Sequence, residues 1–273
     1  MGMSAQLATR WPDGARAALA LTFDFDAEEV WIADDPANAR RPGVLSQGVY
    51  GAKVAVPLIL DLLARHEVAA TFFVPGRVAE HYPTRVKEIV AAGHELAHHG
   101  YTHTAPTKLS REEEEEELRR GRKVLEGFCV EIAGYRSPAW EFSASTLDLL
   151  AAHGFRYSSN LMDDIRPYTH PVGLVELPVQ WLLDDAAHFW FSLADWNRKI
   201  SLPREVREMW LEELGAIADL GGVGVLTMHP QIIGRPSRLK LLEDVIRWAK
   251  ERGDIWIARC AEIADHARTE ECA

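Results

Sequence analysis

Apolar runs of strand length alternate along this chain with amphipathic stretches of helical period, and this alternation limits the fold more than any other feature. Strand-like runs occupy residues 18–23, 68–73, 94–97, 155–158, 175–182, 223–228 and 254–258. Helical periodicity occupies 53–66, 83–92, 110–128, 145–153, 203–220 and 237–252, and Gly93, Gly154 and Gly253 stand where helices close. Strands separated by helices favour crossover connections and a largely parallel sheet, so the expected class is α/β. A (β/α) barrel needs about 250 residues, and the 273 residues here suit one such domain over 1–273. Periodicity alone also allows an open, doubly wound sheet.

The first strand candidate closes on Thr22-Phe23-Asp24-Phe25-Asp26. Side chains alternate along a strand, so Asp24 and Asp26 project to one side and Phe25 to the other. Two carboxylates that close disfavour double ionisation unless they share a cation or a proton. A partner is offered by residues 93–103, where four of the 11 histidines fall. His99 and His103 are four apart, a spacing that puts both imidazoles on one face of a helical turn. Two histidines and one Asp leave a coordination position for water, as a catalytic Zn2+ site requires. A His-rich turn alone suits a surface loop equally well, and it is the pair of acids that favours a metal. His98 is expected to be structural or to support the metal ligands from behind, and His94 and Glu95 to belong to the strand entry.

Two later fragments complete a pattern: Tyr135-Arg136-Ser137-Pro138-Ala139-Trp140, and GVGVLTMHP over 222–230, which ends on His229. In this order the chain resembles the polysaccharide deacetylase family, the NodB-homology or carbohydrate esterase 4 group, whose motifs are TFDDG, H-S/T-x-x-H, R-x-P-Y/W and a late L-x-H. The resemblance spans about 18–229. It implies a distorted, TIM-like (β/α) barrel, expected with seven strands. It also implies Asp24 as catalytic base, His99 and His103 as metal ligands, Arg136 as the residue orienting the base, and His229 as general acid. Two departures stand out: Phe25 follows the base where the family has its metal-binding Asp, and Gly100 replaces the usual Ser/Thr. The forms TFDFD, AHHGYTH, SPAWEFS and VELPVQWLLDD resemble one branch, that of the cyclic imide hydrolases and related peptidoglycan deacetylase-like proteins. There the Asp-x-Asp pair is expected to divide into base (Asp24) and metal ligand (Asp26). A homo-oligomer is implied by the same branch.

Asp184 or Asp185 is expected to orient His229, with Asp195 a weaker choice. Two long connections, 27–52 and 160–202 around the strand near 175, carry aromatic residues and suit binding loops. Trp31, Trp140 and Trp181 are the candidate substrate-binding residues, although core packing accounts for tryptophans as readily. The run Glu112 to Glu117 is read as a solvated helix start, since Ser110 and Glu113 form a capping box.

A net charge of -11 argues against nucleic-acid partners, and no run of about 18 apolar residues offers a membrane span. Cys129, Cys260 and Cys272 suggest no disulfide framework. No secretory signal is evident in 1–11, so a cytoplasmic setting is expected. The sequence therefore predicts a hydrolase of non-peptide carbon–nitrogen bonds with one divalent ion, Zn2+ first, and Co2+, Ni2+, Mn2+ or Fe2+ as fitting alternatives. Small cyclic imides or related ring amides are the leading substrates. N-acetylglucosamine polymers such as peptidoglycan are the alternative. A metal-dependent carbohydrate-binding protein without turnover is a third, disfavoured because binding alone needs neither Asp24 nor His229.

Overall fold

The apolar run that ends in the two acids forms β1 (Ala17–Asp24), buried along its full length. The computed structural model describes residues 11–191 and 199–271. Its other strands are β2 (Thr71–Val74), β3 (Glu95–His98), β4 (Gly134–Tyr135), β5 (Tyr157–Ser158), β6 (Tyr168–Thr169), β7 (Val175–Glu176), β8 (Val223–Met228) and β9 (Ile255–Ile257). They form one sheet in the order β6-β7-β5-β4-β3-β2-β1-β8. β8 covers one edge of β1 from residue 18 to 23, while the other edge is shared, β9 taking residues 17–19 and β2 residues 22–24. All pairs are parallel except β6 with β7. The α/β reading and the barrel-like architecture hold: the sheet curls into a half-barrel. Seven parallel strands run side by side from β7 to β8. They are not the seven expected from sequence, because the two-residue β4 joins this run and β9 lies beside it.

Between β8 and the β5/β7 side, irregular chain closes the curl. Val223 N–H donates to the Ile165 carbonyl (2.8 Å) and Val179 N–H to the Leu161 carbonyl (2.9 Å). A single parallel bridge joins Asp184 to Thr227. The expected strand over 175–182 is therefore short: β7 stops at Glu176, and a 3-10 turn, Trp181–Leu183, leads to the bridge.

Period-two alternation divides inside from outside. Leu19, Leu21, Phe23 and Phe25 pack with Phe72, Val74, Leu96 and Leu226 in the larger cluster beneath the helices. Ala18 and Ala20 belong to the inner cluster with Phe73, Ala97, Val223 and Val225. Small residues suit the tight inner face. Following each inner row to the end of its strand and past it gives Asp24 and Asp26 after Ala20 and Thr22, His99 after Ala97, and His229 after Val225 and Thr227. One parity rule thus delivers the site residues to one end of the half-barrel, the end where strand C-termini converge.

The connection after β1 contains more structure than expected. It holds helix Glu29–Asp34, a 3-10 turn Pro36–Arg40 and a continuous helical stretch Pro42–Arg65 with a π-turn at Gly51–Ala55. By length and mean hydropathy, 1.3 in its most apolar window, Pro42–Arg65 passes as a membrane-crossing helix, a property the sequence reading did not credit. In this fold Val56, Ile59, Leu62 and Leu63 bury into the core.

Candidate active site

Asp26 is fully buried. Neither of its buried oxygens has a hydrogen-bond partner. Around it stand His99 Nε2 at 3.4 Å and His103 Nε2 at 3.6 Å from Oδ1, and His229 Nε2 at 3.8 Å from Oδ2. Burial pushes the Asp26 carboxyl well above its ordinary range against the pull of His229, and Asp24 adds to the rise. His99 Nδ1 lies 2.7 Å from the Arg136 carbonyl. A carbonyl only accepts, so Nδ1 carries the proton and the Nε2 lone pair faces Asp26. Burial pushes His99 down and His103 well down, so both are neutral imidazoles with a lone pair to give. Asp26, His99 and His103 bring one donor atom each within 4.8 Å of one another. An unpartnered buried carboxylate between two neutral imidazoles fits a divalent cation, which would supply the missing compensation.

Asp24 sits in a different environment. Arg136 Nη1 donates to Asp24 Oδ1 and to Thr22 Oγ1, both at 2.8 Å. The guanidinium is fully buried and lies 4.1 Å over the Phe73 ring. Its other donors reach the Ser159 carbonyl and hydroxyl, so its plane is fixed on both sides. Burial alone would raise Asp24, but Arg136, His99 and His229 outweigh it and hold the carboxyl below its ordinary range. The two acids therefore differ in kind: Asp24 is an ionised, paired carboxylate, and Asp26 is a buried carboxyl group without a hydrogen bond.

Of the two candidates to orient His229, Asp185 does so. Its Oδ1 lies 2.6 Å from His229 Nδ1, and its Oδ2 accepts from the His229 backbone N–H at 3.0 Å. Burial would lower His229, yet the charge and hydrogen bond of Asp185 override it and hold the imidazole well above its ordinary range. Asp184 does not touch His229 in this way. Its Oδ1 caps the helix Asp185–Phe189 through the Ala186 N–H at 2.6 Å. Burial pushes its carboxyl up to about 6. Asp184, Asp185 and His229 also cluster closely enough for a cation, but the Asp185 oxygens and one Asp184 oxygen are taken by these internal bonds. Asp195 lies outside the described residues.

The His99 to His103 segment is a loop after β3, not the helical turn that the spacing suggested. Gly100 at φ +75° and His103 at φ +58° turn the chain back on itself, and the two rings end 5.0 Å apart. Gly100 permits this turn because it lacks a Cβ. The loop is held by Glu117 of the helix Arg111–Glu126. Glu117 Oε2 accepts from the Tyr101 and Thr102 N–H groups (2.9 and 2.8 Å), and Oε1 from the Thr102 hydroxyl (3.0 Å). Sequence reasoning missed this residue. His98 is structural, as expected: Gly100 N–H donates to its Nδ1, so Nε2–H donates to the Leu118 carbonyl.

These groups open into a cavity of about 390 Å³. Trp140 and Trp181 line it in contact with each other (centroids 4.6 Å apart). Trp31 does not reach the wall. It is buried behind Trp190, stacked at 4.9 Å, and Trp190 forms the surface instead. Helix Glu29–Asp34 turns the neighbouring Val30 to the cavity and Trp31 to the packing behind it.

Residues 45–158 match the polysaccharide deacetylase family. Over 279 aligned positions, covering 90% of this chain and 94% of the relative, the sequence is 30% identical to a peptidoglycan deacetylase of Helicobacter pylori. The chain belongs to the polysaccharide deacetylase family. Membership makes it a deacetylase-type hydrolase of carbon–nitrogen bonds. A solved structure from Mycobacterium smegmatis, described as a polysaccharide deacetylase, is 43% identical, with a TM-score of 0.92 over 96% of this chain and 93% of that one. The PuuE allantoinase shares the fold at 20% identity, with a TM-score of 0.82 over 96% and 94% of the two chains.

Proposed function

We propose that this family member opens small ring amides, cyclic imides first among them, using a divalent ion held by Asp26, His99 and His103. The cavity wall carries this reading. Beyond the acids and histidines it is formed largely by Trp140, Trp181 and Trp190, with Val30 and Ala186 beside them. Flat apolar surfaces suit a compact ring with few polar groups. N-acetylglucosamine would bring several hydroxyls to a wall that offers them few partners. A cytoplasmic setting, where small metabolites are met, goes with this proposal. The second reading, N-deacetylation of an N-acetylglucosamine polymer, is favoured by the near full-length likeness to the Helicobacter pylori peptidoglycan deacetylase.

When bound, the ion, Zn2+ by preference, supplies Lewis acidity that polarises the carbonyl and lowers the pKa of a water toward about 7. Asp24 accepts the proton of the attacking water. Arg136 keeps Asp24 ionised and fixes its direction through the 2.8 Å bond. His229, kept protonated by Asp185, delivers its proton to the departing nitrogen.

Two measurements test this. Steady-state kcat/KM of the metal-loaded enzyme is compared for succinimide, glutarimide, hydantoin, allantoin and N-acetylglucosamine oligomers. An imide is expected to lead; acetate release from the oligomers at a higher kcat/KM than any imide shows would put the second reading in its place. Separately, Asp24→Asn is expected to cut kcat by about 10²–10⁴-fold with metal content unchanged, whereas Asp26→Asn loses the metal. Exchange of these two behaviours would reverse the roles of the acids.

A further inference from the structure

Two polar side chains on the cavity wall have no part in the chemistry above, Ser137 and Asp184. Ser137 turns its hydroxyl to the Glu141 carbonyl at 2.6 Å. Asp184 is different. Its backbone is fixed by the bridge to Thr227, two residues before His229. Its Oδ1 is committed to the Ala186 N–H, which pins the side chain. No hydrogen bond among the described residues reaches the other oxygen, although Asp184 is only 4% exposed. A carboxylate oxygen of such a residue, left open on a cavity wall, is an acceptor available to a donor.

A carboxylate oxygen of Asp184 and a ring nitrogen of His229 lie within 4.8 Å of each other. Both residues also line the cavity, so a substrate nitrogen placed to receive the His229 proton has Asp184 on the same stretch of wall. We propose that Asp184 accepts a hydrogen bond from the N–H on the departing nitrogen, so that the site selects imides and amides carrying hydrogen there. The inference rests on the hydrolytic reading of this cavity and holds for a ring imide or an N-acetyl group alike.

The chemistry is consistent with both partners acting at one nitrogen. The N–H of an imide or amide lies in the plane of the group. The nitrogen lone pair, released from conjugation when the carbonyl carbon is attacked, stands out of that plane. The water oxygen bonds to the carbonyl carbon, and Asp24 takes a water proton. The His229 proton goes to that lone pair; the C–N bond then breaks as the carbonyl re-forms, and its electrons stay on nitrogen. The original N–H stays covalent throughout and remains donated to Asp184.

The test compares succinimide with N-methylsuccinimide. The wild type is expected to favour the N–H form in kcat/KM by about 10- to 100-fold, the range for a hydrogen bond to a charged group. In Asp184→Asn the helix cap is kept, because Asn caps as well as Asp. The cap claims the amide oxygen and turns the NH2 group toward the substrate N–H. The preference is then expected to fall within about threefold, mainly through KM, with metal content unchanged. Asp184→Ser keeps the cap through its hydroxyl, leaves nothing at the second oxygen and is expected to behave alike. Equal wild-type rates on the two substrates overturn the proposal without any variant. A wild-type preference that persists in a metal-bound variant overturns it too, since the discrimination then comes from elsewhere. If no imide is opened but N-acetylglucosamine oligomers are deacetylated, the ring reading fails alone. The same comparison then runs on N-acetyl and N-acetyl-N-methyl sugars, with the same expected ratios.

Discussion

His229 and Asp185 share two contacts, one to the ring and one to the backbone, and this pairing sets the alkaline side of the reaction. His229 must be protonated to serve as acid, so activity is present below its pKa and lost as pH rises through it. Asp185 holds that pKa well above 6.5. In Asp185→Asn the hydrogen bond can survive but the charge is gone, so the His229 pKa falls back and the alkaline limb of kcat/KM moves to lower pH. The expected outcome is a drop of about tenfold or more at pH 8, with a smaller loss at pH 6. An unmoved alkaline limb would remove Asp185 from this role. The sequence offered Asp184 and Asp185 as equals because the two lie where a 3-10 turn meets a short helix, and period-two parity does not apply there. Asp24, Asp26, His99 and His229 were legible for the opposite reason: they extend regular strands whose parity fixes their side.

At the scale of elements, the helix Arg111–Glu126 shows how a correct reading can hide a second one. The capping box at Ser110 and Glu113 is present, with contacts of 3.3 and 2.8 Å, and much of the acidic run is solvated. Yet the helix buries Glu114, Leu118, Gly121 and Leu125 at spacings of four, three and four. Glu117, next to Leu118 and one turn from Gly121, turns toward the same side, where it clamps the His103 loop. Tracing the apolar stripe back through the acids leads to Glu114 and, one turn before Gly121, to Glu117 at its border. Glu117→Ala should free three donors and loosen a loop whose His103 holds a left-handed conformation. Metal affinity, read by isothermal titration, is expected to weaken by about 10- to 100-fold, with Glu117→Gln in between. An unchanged Kd would mean that the loop holds its shape without the clamp. Short strands were the hardest elements to see: two residues at β4 carry no period, and the connection over 27–52 looked like loop because glycines punctuate it. Gly48 is there for closeness, since a Cβ would lie 2.4 Å from the Ala27 backbone, and it does not end the helix.

For the molecule as a whole, strand and helix alternation was enough to give an α/β half-barrel, and the inner rows were enough to gather a site at one end. The same sheet buries polar groups at its other end. There the Ala70 N–H donates to His94 Nδ1 at 3.2 Å, and burial, with Arg259 next, pushes His94 down to about 4. The sign of the consequence follows from linkage. Above pH 6.5 His94 is neutral in both states and contributes no pH dependence. Below 6.5 the unfolded chain takes a proton that the folded chain refuses, so stability falls until about pH 4, where the folded imidazole is protonated as well. A drop from 6.5 to about 4 corresponds to about 3 kcal/mol at 1.36 kcal/mol per unit. His94→Gln can keep the acceptor for Ala70 without a titrating group. Urea unfolding at pH 7 and pH 4.5 should then show a wild-type loss larger than the variant's by about 2–3 kcal/mol. Protonation of the cavity histidines is common to both proteins and cancels in this difference. Equal losses in the two proteins would show that His94 is solvated well enough to charge in place, and that acid lability begins at the cavity.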